Sequence, residues 1–172
     1  LVQSPDVHSG IVERRLLHWP DEAACAAAAQ ALARALATLP SPLDAFISLQ
    51  GGLGAGKTTV ARHLLRALGV RGRVKSPTFA VMEPYDTPLG PALHFDFYRF
   101  EHLREWEDAG FRDAFAAPGL KLTEWPERVQ ALLPQADLSL HLQADGEHAQ
   151  GRAVHALAHT GQGLALLKAL RP

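Results

Sequence analysis

The chain has 172 residues, 47% of them hydrophobic and 20% charged, with a net charge of −1. That length predicts one domain over residues 1–172, and the apolar share is ample for a packed core. The near-neutral balance excludes strong independent attraction to DNA, RNA or a bilayer surface, and no apolar run approaches the ~20 residues that span a bilayer.

Residues 1–10 read as a loose leader, from the turn signals Ser4-Pro5-Asp6 and Ser9-Gly10. They lack the charged head, apolar core and cleavage pattern of a secretory signal. Ile11 to Leu17 is expected as a first strand. Pro20-Asp21-Glu22 then marks a helix start, since proline suits a first turn and acids suit the positive end of the helix dipole. The alanine-rich stretch Glu22 to Leu39 favours helix by propensity, with Leu32, Leu36 and Leu39 on a narrow apolar stripe. Pro40-Ser41-Pro42 ends it. Cys25 is the only cysteine, so no internal disulfide is possible. It is expected to pack as a small apolar residue, and a cytosolic setting fits.

Ala45 to Leu49 is an apolar run of strand length. Directly after it, Gly51-Gly52-Leu53-Gly54-Ala55-Gly56-Lys57-Thr58 matches the pattern G-x-x-x-x-G-K-[ST]. Glycines let the backbone take positive φ and bring its N–H groups close to phosphate oxygens. Lys57 can reach β- and γ-phosphates, and Thr58 can offer its hydroxyl to Mg²⁺. Thr58 to Leu68 reads as the following helix, with Val60, Leu64, Leu65 and Leu68 at helical spacing and Gly69 as its stop. Such a helix points its free N–H groups at the bound anion. A strand before and a helix after distinguish a P-loop from a glycine-rich turn.

Arg62, Arg66, Arg71, Arg73 and Lys75 form the one dense basic stretch. It reads as a solvated face before it reads as a patch for a partner or tRNA. Lys75-Ser76-Pro77-Thr78-Phe79 is either a switch loop that senses a γ-phosphate through Ser76 or Thr78, or a plain Ser-Pro turn. Thr78 to Met82 is a possible strand, and Asp86-Thr87-Pro88-Leu89-Gly90 a turn. Leu93 to Tyr98 alternates, with Leu93, Phe95 and Phe97 on one face and His94, Asp96 and Tyr98 on the other. Leu103 to Phe115 is expected as helix broken at Gly110. Leu120 to Thr123 is a short strand, Pro126 to Leu133 a helix. Leu138–Gln143 and Arg152–His159 are two last strands joined through Asp145-Gly146. His155 and His159 lie four apart without the glutamate of a zinc motif. The order predicts an α/β fold of the P-loop NTPase type: a three-layer sandwich with a mainly parallel central sheet and antiparallel additions.

A P-loop needs acids for Mg²⁺ and for an attacking water. Asp96 and Glu124 are the candidates, both at strand ends, where ligands of open α/β sheets bind. Glu124 could instead be a helix N-terminal carboxylate, and Asp96 an exposed polar residue. GTPases read guanine with an Asn-Lys-x-Asp loop, and the chain contains no asparagine, so ATP is favoured. A small-molecule kinase would share the phosphate loop, with Gly69–Lys75 as its one, short lid candidate. A module that senses ATP and binds partners without hydrolysis is a third reading.

Four blocks in this order and spacing carry a more specific resemblance: Gly52 to Thr59, Lys75-Ser76-Pro77-Thr78-Phe79, His94-Phe95-Asp96-Phe97-Tyr98-Arg99, and Glu124-Trp125-Pro126-Glu127. From about Pro20 onward the chain resembles the bacterial TsaE family, the small ATPases of tRNA threonylcarbamoyladenosine biosynthesis. The resemblance implies a cytoplasmic P-loop protein that binds ATP with Mg²⁺ and acts with TsaB and TsaD. In that assembly TsaD transfers a threonylcarbamoyl group to N6 of adenosine-37 in tRNAs that read ANN codons, and TsaE hydrolyses ATP, weakly when alone, to permit repeated turnover. tRNA contact would be indirect or weak. By the same resemblance, Leu53, Gly54, Ala55, Gly56, Lys57, Thr58 and Thr59 would hold the phosphates, Thr58 and Glu124 the metal, and Lys57, Asp96 and Glu124 the chemistry. Ser76 and Thr78 would belong to a switch loop. Asp21, Glu22 and Arg152 would lie near base and ribose, where a guanidinium can stack on adenine. Gly52 departs from the family's usual acidic or polar residue, and Trp106 is an addition.

Overall fold

The computed structural model describes residues 10–77, 81–146 and 150–171, so the expected leader, Gly10 apart, lies outside the described residues. β1 (Glu13–Trp19) begins two residues later than expected, because Leu17 and Trp19 are the positions that reach the core while Val12 and Leu16 face solvent. In α1 (Glu22–Ala37), the Asp21 carboxylate accepts from the Ala24 N–H at 2.8 Å and caps the first turn. Its stripe of Cys25, Ala29, Leu32, Ala33 and Leu36 is buried.

β2 (Phe46–Gln50) is buried along almost its whole length and leads through the P-loop into α2 (Lys57–Ala67). Gly69, at φ +96°, follows that helix. β3 (Met82–Thr87) and β4 (Gly90–Asp96) form a hairpin around Pro88-Leu89, at the expected turn. The strand expected over Thr78 to Met82 is displaced: only Met82 belongs to β3, and Thr78 lies outside the described residues. α3 (Leu103–Asp108) and α4 (Phe111–Ala116) are separated by Gly110 in the left-handed region, the expected break. β5 (Leu120–Glu124) follows.

The helix expected over Pro126 to Leu133 shrinks to a 3-10 turn, Pro126–Arg128. Val129 N–H bonds to the Pro126 carbonyl, and Leu132 N–H to the Val129 carbonyl, the i to i−3 spacing of tight turns instead of α-helix. β6 (Leu138–Ala144) and β7 (Arg152–Ala158) pair antiparallel. α5 (Gly161–Ala169), which periodicity did not announce, is started by Thr160, whose hydroxyl accepts from the Gly163 N–H at 3.0 Å.

The seven strands lie in the order β1-β7-β6-β2-β5-β4-β3. β6, β2, β5 and β4 are mutually parallel, while β3 at one end and β7 and β1 at the other run antiparallel to their neighbours. α1, α2 and α5 pack on one face over Ile47, Leu49, Leu122, Leu140 and Leu142. α3, α4 and the 3-10 turn lie on the other, over an aromatic cluster of Phe95, Phe97, Phe100, Trp106 and Phe111, with Phe115 edge-on to Phe46 at 5.1 Å. Both faces of β4 are therefore covered. His94, expected on a polar face, is fully buried on the α2 side.

A Cβ added at Gly163 would lie 1.7 Å from the Asp137 carbonyl oxygen, whereas at Gly161 it would meet nothing within 4 Å. Gly163→Ala is expected to lower stability by about 1–3 kcal/mol through overpacking, and Gly161→Ala to leave it unchanged or raise it slightly. Urea unfolding of the two variants checks this.

Candidate active site

The P-loop starts where β2 leaves the sheet. Gly51 turns at φ +144°, and a Cβ there would stand 2.4 Å from the Leu142 carbonyl oxygen, so only glycine fits between the loop and β6. Gly54 and Gly56 also take positive φ, and Gly56 caps α2. Ala55 is buried, while Leu53 at the tip is 79% exposed. The loop thus folds back over the first turn of α2, with Thr58 and Thr59 half-buried behind it.

Lys57 opens α2 and is only 4% exposed. Its Nζ donates to the carbonyls of Gly51 at 2.6 Å and Gly52 at 2.8 Å, and stands 3.9 Å from the centroid of the Trp125 ring. Burial lowers its pKa, and the carboxylates of Glu124, Glu127 and Asp96 oppose that shift. Trp125 reaches this place because it sits in the left-handed region at φ +56°, turning the chain sharply after β5.

Thr58 and Glu124 meet directly: the Thr58 hydroxyl donates to Glu124 Oε2 at 2.9 Å. Parallel pairing of β2 with β5 sets Leu49 opposite Glu124, and pairing of β5 with β4 sets Asp96 beside it. The Glu124 carboxylate also accepts, at Oε1, from His94 Nε2 at 2.8 Å. Asp96 accepts from the Ser76 hydroxyl at Oδ2 and from the Tyr98 N–H at Oδ1, the latter at 3.0 Å. Lys57, Thr58, Glu124, Asp96 and Ser76 are therefore brought to one end of the parallel strands, and Thr78 is the one expected site residue outside the described residues.

A second pocket of about 220 Å³ opens on the other side of Gly56, between the start of α1 and β7, and Trp19, Asp21, Glu22, Cys25, Thr59 and Arg152 line it. Arg152 does not stand free: its Nε donates to the Ala55 carbonyl at 2.8 Å and its second terminal nitrogen reaches the Gly54 carbonyl at 3.4 Å. Its guanidinium joins this pocket to the P-loop. Asp21 is engaged in capping, and Glu22 Oε1 lies 2.8 Å from His63 Nε2. Trp19, Cys25 and Leu142 carry no motif pointing to the site; strand pairing with β7 and the packing of α1 bring them there, while His94 and Trp125 fall inside two of the four blocks that carry the resemblance.

The donor set fits a magnesium nucleotide. A Cβ at Gly54 would meet nothing within 4 Å, and Lys57 opens the helix that follows the loop. Thr58 and Glu124 offer two oxygens, and no group of three or more His, Cys, Asp or Glu able to hold a metal exists among the described residues. Magnesium typically takes one or two protein oxygens and fills the rest of its shell with phosphate and water.

The family model described as threonylcarbamoyl adenosine biosynthesis protein TsaE matches residues 20–154. The tRNA threonylcarbamoyladenosine biosynthesis protein TsaE of Haemophilus influenzae is 34% identical over 150 residues, covering 87% of this chain and 93% of that protein. That of Bacillus subtilis is 36% identical over 118 residues, covering 69% and 73%. Among solved structures, Bacillus subtilis YdiB superposes with a TM-score of 0.69 at 25% identity, over 91% of this chain and 93% of that one. That likeness agrees with the P-loop type of α/β fold.

Burial, with Glu22 adding to it and Arg152 opposing, pushes the Cys25 thiol up to about 11. At pH 8 it is protonated and covered. Its reaction with a disulfide reagent is expected to be at least ~10²-fold slower in the native protein than in the unfolded chain, since the thiolate is the nucleophile; stopped-flow absorbance gives both rates.

Proposed function

The chain belongs to the TsaE family of threonylcarbamoyl adenosine biosynthesis proteins, and on that premise we propose that it is a Mg²⁺-dependent ATPase working with TsaB and TsaD. Its role lies in threonylcarbamoyladenosine biosynthesis in tRNA. The observation that carries the ATPase reading is the Thr58–Glu124 hydrogen bond, which ties the first turn of the P-loop helix to the end of the neighbouring strand, beside a buried Lys57.

In this reading the backbone N–H groups from Gly54 to Thr58 bind phosphate oxygens, and Lys57 leaves the Gly51 and Gly52 carbonyls for the β- and γ-phosphates. Thr58 and Glu124 hold the metal; when bound, Mg²⁺ neutralises the charge that develops on the β- and γ-oxygens. Asp96, already fixed by Ser76 and the Tyr98 N–H, orients the attacking water and carries the loop's response to the γ-phosphate, with Thr78 its second hydroxyl. The pocket lined by Trp19, Cys25, Asp21, Glu22 and Arg152 takes adenine and ribose, with Arg152 linking base and phosphate ends. Hydrolysis is slow alone and resets the TsaB–TsaD complex between rounds of modification; contact with tRNA is indirect. No helix among the described residues is long and apolar enough to cross a membrane, and a cytoplasmic setting is part of the proposal.

Reconstitution with TsaB, TsaD, tRNA and ATP tests the proposal. Lys57→Ala is expected to abolish multiple-turnover modification, and Glu124→Ala to cut ATP hydrolysis by ~10²-fold or more. Undiminished modification by Lys57→Ala sinks the proposal. Undiminished modification by Glu124→Ala with nucleotide still bound would favour ATP sensing over hydrolysis.

A further inference from the structure

We infer that His94 is the positioning residue for Glu124, holding one carboxylate oxygen so that the other faces the P-loop threonine and the metal. The inference rests on the proposed Mg²⁺-dependent reading of this site and assigns it a residue beyond the metal ligands. His94 is fully buried and the Glu124 side chain 3% exposed, with 2.8 Å between Nε2 and Oε1. The Thr58 hydroxyl occupies the other oxygen, Oε2. The two oxygens of Glu124 are thus divided between a fixed inner partner on β4 and a partner at the phosphate loop.

The sheet makes this division. Leu122 stands opposite His94 in the β4–β5 ladder, so Glu124 is its diagonal neighbour on the same face. A carboxylate accepts at both oxygens, so the ring nitrogen facing it carries the hydrogen. Among the described residues Nδ1 has no partner although it is buried. An imidazole with an orphaned nitrogen fills a core less well than a leucine would. Among the described residues the one side-chain hydrogen bond of His94 goes to Glu124, and that bond is what an aliphatic side chain could not supply. An outer partner of this kind fixes the orientation of a ligating side chain, and its loss typically costs 10–100-fold in metal affinity.

The test uses Mn²⁺ as a probe, with its binding to the ADP-saturated protein read by electron paramagnetic resonance and ADP affinity in EDTA measured alongside. His94→Leu and His94→Asn are expected to weaken Mn²⁺ binding by about 10–100-fold and to leave ADP affinity in EDTA unchanged. His94→Gln, whose amide reaches the place of Nε2, is expected to bind Mn²⁺ like the wild type. In a Glu124→Ala background, His94→Leu should cost nothing further. The positioning role is overturned if His94→Asn binds Mn²⁺ as tightly as the wild type, or if His94→Leu costs as much without Glu124 as with it. The asparagine and glutamine pair keeps the comparison decisive should the leucine variant fail to fold. Unchanged Mn²⁺ binding by Glu124→Ala alone would instead remove the metal reading of the site, and the inference with it.

Discussion

The register between β2 and β5 is the constraint on which the site depends. Because Leu49 lies opposite Glu124, the strand that feeds the P-loop and the strand that ends in the acid finish at the same level. A hydroxyl one residue into α2 can then reach that carboxylate. A slip of one residue would turn Glu124 to the other face of the sheet, toward the aromatic cluster and away from Thr58. What holds the register is burial. β2 and β5 are covered on both faces, with leucine and isoleucine toward the helices and Phe46, Ser48, Lys121 and Thr123 toward the other layer. Two independently packed layers thus specify one pairing. At the far end, the Asp137 carboxylate accepts from the Phe46 N–H at 2.8 Å and pins the start of β2.

Within that frame the polar and charged groups are arranged to tolerate burial. Lys57, Glu124 and His94 are all nearly inaccessible, and each would be costly alone. Lys57 is satisfied by two carbonyls and an aromatic face, and Glu124 by a hydroxyl and an imidazole. The network extends outward without a break in kind: the Trp125 ring lies 4.9 Å from that of Tyr98, which Arg128 covers from outside. Tyr98 in turn bonds through its N–H to Asp96. The loop after β4 and the turn after β5 are therefore parts of one assembly around the lysine, even though the two segments are far apart in the sequence.

Much of this is legible in the sequence, and the reason is local. The P-loop is contiguous, so its glycines, Lys57 and Thr58 announce their geometry and the flanking strand and helix confirm it. Asp96 and Glu124 stand out in the sequence because strand ends are where ligands of such folds bind. The His94–Glu124 pair does not, since alternation within one strand says which face a residue takes but not which strand lies next to it. The short 3-10 turn after Trp125 reads as a helix in the sequence because Val129, Leu132 and Leu133 mimic helical spacing; three-residue hydrogen bonding serves the same burial. α5 was missed for the opposite reason: Gly161 and Gly163 argue against helix, yet Gly163 is required by contact with Asp137, and Leu166 and Leu167 close the core. The bonds of Arg152 to the Gly54 and Ala55 carbonyls, set by its place at the start of β7, are beyond any motif.

The ammonium of Lys57, held by Gly51 and Gly52, makes those two carbonyls an intramolecular rival for any incoming phosphate. On the proposed reading, the free energy of nucleotide binding is measured against that internal complex, not against a hydrated lysine. The rivalry lowers affinity, but it also gives the departing phosphate a ready replacement, so that the buried cation need never stand bare. On the proposed reading, a loop built this way favours exchange of nucleotide over its retention, which suits an ATPase that acts in repeated rounds.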